Sequence, residues 1–230
     1  FEAGTQNISS TAGAVNKDLK EIQKLGAGIL TLSGHVFVNT LSIKGSNAAA
    51  VTMAATKLLT GNVVFDGQTA AAGMHTGTGV TGTITTLIND TGNLTTLADS
   101  DFSGTIGATD LILKTIDVDF DVGFSKTIMS TAMTILHAKT VTMAADADIH
   151  AAITFDGTGD GIIVLGTGAD ITGNIVTPAS KGTITVNGIS TITGEIAHAT
   201  NKLKLITVGN GAGDKLTTVV QMGGKLVQGG

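Results

Sequence analysis

Six carboxylates crowd one short stretch of this 230-residue chain: Asp99, Asp101, Asp110, Asp117, Asp119 and Asp121. The last three alternate with Val118, Phe120 and Val122. In a strand, successive side chains point to opposite faces, so this spacing predicts one strand with three carboxylates on one side. Calcium takes about six to eight oxygen ligands, and Asp117, Asp119 and Asp121 are its first candidates here. The competing reading is a solvated outer face that keeps an apolar sheet soluble. Two further candidates lie in Gly157-Thr158-Gly159-Asp160-Gly161-Ile162 and Gly166-Thr167-Gly168-Ala169-Asp170-Ile171, which recur after nine residues. Asp160 and Asp170 could ligate calcium between stacked turns, or simply sit in Gly-rich corners. No strand-to-helix transition or downstream Lys-Ser/Thr makes either segment a nucleotide loop.

Catalysis has little to work with. There is no Cys, so thiolate nucleophiles, thiolate metal sites and disulfides are excluded. All 13 basic residues are Lys. His35, His75, His137, His150 and His198 are dispersed, with no pair at metal-ligand spacing. Asp66 and Asp156 each precede a Gly and read as turn residues. Met53 and Met143 read as core fillers. The expectation is no enzyme and no cofactor, with calcium the one metal to test. A net charge of −5 and the lack of Arg argue against nucleic acid. No run reaches the roughly 18 apolar residues of a membrane span. The chain starts at Phe1 without Met or a signal sequence, as a processed product or an excised piece would.

The elements that carry these residues are short. Ile29–Leu32, Val63–Phe65, Leu111–Leu113, Ile153–Phe155, Ile162–Leu165, Ile184–Val186 and Leu203–Ile206 alternate apolar with Thr or Lys, or run apolar throughout. Gly, Asn, Asp and Ser separate them. The chain also nearly repeats after 90 residues. Val51-Thr52-Met53-Ala54-Ala55 returns as Val141-Thr142-Met143-Ala144-Ala145, and Phe65-Asp66-Gly67 as Phe155-Asp156-Gly157. Repetition of short strands is the mark of stacked architectures. The predicted fold class is all-β, a right-handed parallel β-helix, with the repeat taken up by four coils of roughly 22 residues. Leu30, Leu32, Val63, Phe65, Ile153, Phe155, Ile184 and Val186 should face inward, with Phe65 and Phe155 at equivalent positions. The single Pro178 fits a corner. Residues 1–26 form an N-terminal cap or first coil. The spacing Ala12, Val15, Leu19, Ile22 is open to two readings, another strand pair or a helix with Ser9 or Ser10 as its cap. Residues 27–230 form one β-helix, duplicated over about 51–120 and 141–210.

Lys24-Leu25-Gly26-Ala27-Gly28-Ile29-Leu30-Thr31-Leu32-Ser33-Gly34 resembles the K-x-G-x-G-x-L-x-L-S-G repeat of bacterial autotransporter passenger domains. Ile153–Gly159 and Ile171–Ile175 look like the Gly/Thr-rich surface antigens of rickettsia-type bacteria, the outer membrane protein A and B family. The resemblance implies an exported right-handed β-helix at the bacterial cell surface or outside the cell. Such families carry a C-terminal transmembrane β-barrel, and no strands of that kind with aromatic girdles appear near Gly230. The expected role is a non-catalytic surface coat or adhesin whose partner is a host or surface macromolecule. The alternative is a self-assembling subunit of an S-layer or extracellular filament, joined through solenoid ends or flanks. Interface hot spots favour Trp, Tyr and Arg, and this chain has none, which favours coat or assembly over tight receptor binding.

Overall fold

In a computed structural model the chain winds into a parallel β-helix of about nine turns. The structure describes residues 4–44, 50–67, 72–156, 158–178, 181–196, 202–209, 213, 215–218 and 227–228. Each coil has three faces. One coil runs through Leu113–Val118 on the first face and Val122–Phe124 on the second. Ile128–Ile135 then supplies the third face and, past an irregularity between Met129 and Ala132, the first face of the next coil. All the strand pairings between coils are parallel.

Alternation explains the packing. Inward residues stack in three columns of aliphatic and aromatic side chains. The third face holds Ile22, Leu41, Val63, Ile84, Ile106, Ile128, Ile149, Ile171 and Ile192. The first holds Leu30, Val51, Met74, Leu94, Ile116, Met133, Ile153, Ile175 and Ile196. The second holds Val36, Leu59, Val80, Phe102, Phe124, Met143, Leu165, Val186 and Val208. Phe102 and Phe124 stack within it, ring centroids 5.3 Å apart. All eight residues expected inward are fully buried. At roughly 1.5–3 kcal/mol for each buried aliphatic or Phe side chain, these columns are the main source of stability. Outward positions carry a polar row, including Thr31, Thr52, His75, Thr95, Asp117, Thr134 and Thr154 on the first face.

The 90-residue repeat does not stack on itself. Four coils above Val51 lies Met133, and Val141 comes one strand later, on the second face. Phe65 is on the third face and Phe155 on the first, so the expected equivalence of the two is corrected. The duplication spans four coils and one further face. The cause is variable coil length. Stacked partners are 17 residues apart between Leu113 and Ser130 and 26 apart between Ile189 and Lys215. What the repeat preserves is a local unit. Gly92 lies over the Phe65 ring and Gly182 over the Phe155 ring, at φ 80° and 81°. A Cβ would fall 2.6 Å from Phe65 and 2.5 Å from Phe155. Because all three faces bury β-branched and other apolar residues, the unit works on any of them.

The first coil is stranded: of the two readings of residues 12–22, the strand pairing forms and the helix does not. Ala12 bridges Val36, Ala14 pairs Lys17 across a tight turn with Asn16 at φ 62°, and Leu19–Lys24 pairs Val36–Ile43. The helical spacing is accidental: Val15 and Leu19 are exposed and only Ile22 reaches the core. Backbone pairing with the next coil decides the conformation, and Asn tolerates the left-handed turn. Lys24 occupies the next inward position, almost fully buried, and its ammonium donates to the Gly26 carbonyl. Burial lowers its pKa from the ordinary lysine value.

Candidate functional site

The corner between the first and second faces gathers most of the residues that could do chemistry. Asp117 lies outward on Leu113–Val118, but the strand ends at Val118. The backbone N–H groups of Asp119 and Phe120 both donate to the buried Thr96 hydroxyl of the coil below, at 3.0 and 3.2 Å, and turn the chain. The expectation of one strand through Asp121 is therefore corrected. Phe120 does not enter the core; it stays half-buried, with the Lys139 ammonium 5.1 Å from its ring centroid. Asp117 is separated from Asp119 and Asp121 by this corner. Burial raises the Asp117 pKa, Asp119 adds to that, and a hydrogen bond to Thr134 and the charge of His75 oppose it.

The corner carboxylates bond to backbone of adjacent coils. Asp99 accepts the Asp121 N–H at 3.3 Å, and Asp121 accepts the Thr140 N–H at 2.8 Å. On the next corner Asp148 accepts the Asp170 N–H at 2.9 Å, and Asp170 accepts the Thr191 N–H at 2.6 Å. Asn62, Asn89 and Asn174 do the same for Thr83, Ile112 and Glu195. A corner leaves N–H groups without strand partners, and an Asx oxygen one coil away satisfies them. Asp160 holds Lys204 and Lys181 from later coils. The hydrogen bond from Lys204, with Lys181 beside it, keeps the Asp160 carboxyl below the usual range. Asp160 and Asp170 occupy different corners and do not meet. Among the described residues no three His, Cys, Asp or Glu converge on a metal position. The calcium candidates do not form an oxygen cage there.

Two clusters form across coils, the first from three of the six carboxylates crowded in the sequence and the second not legible there. Asp99, Asp101 and Asp121 line a shallow depression of about 390 Å³ with Gly123, Thr140 and Thr142. Gly123 makes the gap: a Cβ there would stand 2.5 Å from Asp101 Oδ1. The second is His137, Asp156 and Thr158. The Thr158 hydroxyl donates to Asp156 Oδ2 at 2.6 Å and lies 2.9 Å from His137 Nδ1. Asp156 Oδ1 also accepts the Thr158 and His137 N–H groups. The sequence signal was the Asp156-x-Thr158 turn, but its meeting with His137 one coil below is non-local. Burial works to raise the Asp156 pKa, yet the Thr158 and His137 hydrogen bonds overcome it and hold the carboxyl below the usual range. This cluster therefore holds Asp156 as an ionised acceptor. Its geometry is that of a clasped corner.

The remaining histidines are separate. His35 Nδ1 accepts the Leu58 N–H, His75 sits in the outward row of the first face, and His150 sits on the third. Gly157 and His198 lie outside the described residues. Among the described residues no helix is long and apolar enough to cross a membrane. No family model matches the chain, and neither does any curated protein or solved structure.

Proposed function

We propose that this chain is a non-catalytic structural rod of a bacterial cell surface, an autotransporter-like passenger acting as a coat or adhesin. The observation that carries the reading is how the polar groups are used. Asp99, Asp121, Asp148, Asp156, Asp160 and Asp170 are all engaged in holding one coil to another. An enzyme needs such groups turned toward a substrate with a matched acid and base. The surface location rests on the Lys24–Gly34 resemblance and the Gly/Thr-rich coils. The test is a panel of polysaccharide, ester and peptide substrates incubated with the 230-residue chain. No turnover is expected. Turnover that disappears with His137→Ala or Asp156→Asn would overturn the reading. The second reading, a self-assembling subunit of an S-layer or filament, is favoured by the exposed apolar side chains Val15, Leu19 and Leu25 of the first coils.

A further inference from the structure

An asparagine followed by glycine carries its own chemistry: the glycine nitrogen can attack the side-chain carbonyl carbon and close a five-membered imide. The chain has two such steps, Asn187-Gly188 and Asn210-Gly211, and the second lies outside the described residues. Asn187 is exposed at the corner that follows Thr183–Val186. Its main chain is fixed, the N–H donating to the Leu165 carbonyl at 2.9 Å and the carbonyl accepting the Thr167 hydroxyl at 3.3 Å. Among the described residues, no hydrogen bond holds its carboxamide or the Gly188 N–H. Gly188 lies at φ 114°, and a Cβ there would stand 2.4 Å from Thr167 Oγ1. Coil stacking therefore requires glycine at this corner, and glycine leaves the attacking nitrogen unscreened. The comparable junctions are held. In the three Asp-Gly steps, Asp66 pairs with Lys44 at 2.9 Å, Asp156 is clasped by Thr158 and His137, and Asp160 pairs with Lys181 and Lys204. An ionised carboxylate is also a poorer electrophile than an amide. Asn7, Asn62, Asn89, Asn93 and Asn174 each accept a hydrogen bond from another coil, and each precedes a residue whose side chain crowds the ring closure.

We propose that Asn187 is a site of spontaneous deamidation and backbone isomerisation in the folded rod. Hydroxide takes the Gly188 N–H proton, and the nitrogen bonds to Asn187 Cγ. The Cγ–Nδ2 bond breaks, and the departing nitrogen takes a proton from water and leaves as ammonia. Water then opens the imide at either carbonyl, with no change of oxidation state. Attack at the side-chain carbonyl gives aspartate. Attack at the main-chain carbonyl gives isoaspartate, in which the chain runs through Cβ and Cγ and is one atom longer. That atom enters a corner where the Gly188 carbonyl accepts the Lys215 N–H at 2.8 Å and Thr183–Val186 carries the strand Leu205–Val208. The isoaspartyl form therefore loosens the coils beyond Asn187.

The test is incubation of the 230-residue chain in warm, mildly alkaline buffer, folded and in urea. Peptide mass spectrometry reads the change from amide to acid at each asparagine, and enzymatic methylation reads isoaspartate. Asn187 should convert to a mixture of aspartate and isoaspartate at a similar rate in both conditions. In the folded chain the five held asparagines should react slower than Asn187 by about tenfold or more, because each must first give up a hydrogen bond. Asn187→Gln should abolish the reaction at this position, since the longer side chain would have to close a six-membered ring. The isoaspartyl fraction, separated by ion exchange, should melt below the aspartyl fraction, which carries the same added charge on an unlengthened chain. Protection of Asn187 by folding of more than about tenfold, faster conversion at one of the held asparagines, or aspartate formed without isoaspartate would each overturn the proposal. Equal melting of the two fractions would overturn the loosening of the later coils.

Discussion

Gly182→Ala should destabilise the β-helix through both its backbone and its packing. Gly182 lies at φ 81° with its missing Cβ 2.5 Å from the Phe155 ring. A left-handed conformation costs an Ala about 1–2 kcal/mol. Forcing a methyl group into a packed ring costs about 1–3 kcal/mol more. The sum, roughly 2–5 kcal/mol, is to be read from urea denaturation of the variant against the parent. Phe155→Leu in the Gly182→Ala background should relieve the clash and leave the backbone cost. A double-mutant cycle should therefore show coupling of at least ~1 kcal/mol. Gly92→Ala should behave alike, because its Cβ would meet Phe65 at 2.6 Å. Equal costs on different faces would express the rotated duplication directly. A loss at Gly182 below about 1 kcal/mol, or additive behaviour with Phe155→Leu, would refute the reasoning.

Two further outcomes follow from the corners. Asp170→Ala should lower stability by about 1–3 kcal/mol in the same denaturation assay, because the Thr191 N–H loses its acceptor, while Asp170→Asn keeps an oxygen and costs less. Asp117 has a folded pKa above its unfolded value. The folded state therefore binds the proton more tightly, and stability falls as pH rises from the ordinary carboxylate range through the raised folded value. Asp117→Asn should melt higher than the parent at neutral pH and lose that advantage in acid. A parent and variant with parallel melting curves across pH would contradict this.

The strands were legible because alternation of Thr with Ile, Val and Leu needs no long-range information, and their repetition after 90 residues, not the alternation, pointed to a stacked β-helix. Leu30, Val63, Ile153 and Ile184 could be turned inward from spacing alone, and Pro178 fell at a corner. Coil length was not legible, since it depends on how each corner closes. That is why Phe65 and Phe155 were paired across faces, and why Asp119 and Asp121 were read as strand residues. The first coil stayed open between helix and strand for a related reason: Val15 and Leu19 imitate a helical stripe, and only the partner strand Val36–Ile43 reveals the pairing. The meeting of His137 with Thr158, 21 residues later, required the coil offset itself.

The central claim is that the acidic residues of this rod staple coils and do not cage a metal. Thermal unfolding with excess calcium, and again with chelator, tests it most directly. A metal at a hundredfold excess over its dissociation constant would add ~2.7 kcal/mol, or roughly 5–10 °C in Tm for a chain of this size. Coincident melting curves are predicted. A Tm that rises by that amount with calcium and falls with chelator, and that stops responding in Asp117→Asn or Asp121→Asn, would contradict the account.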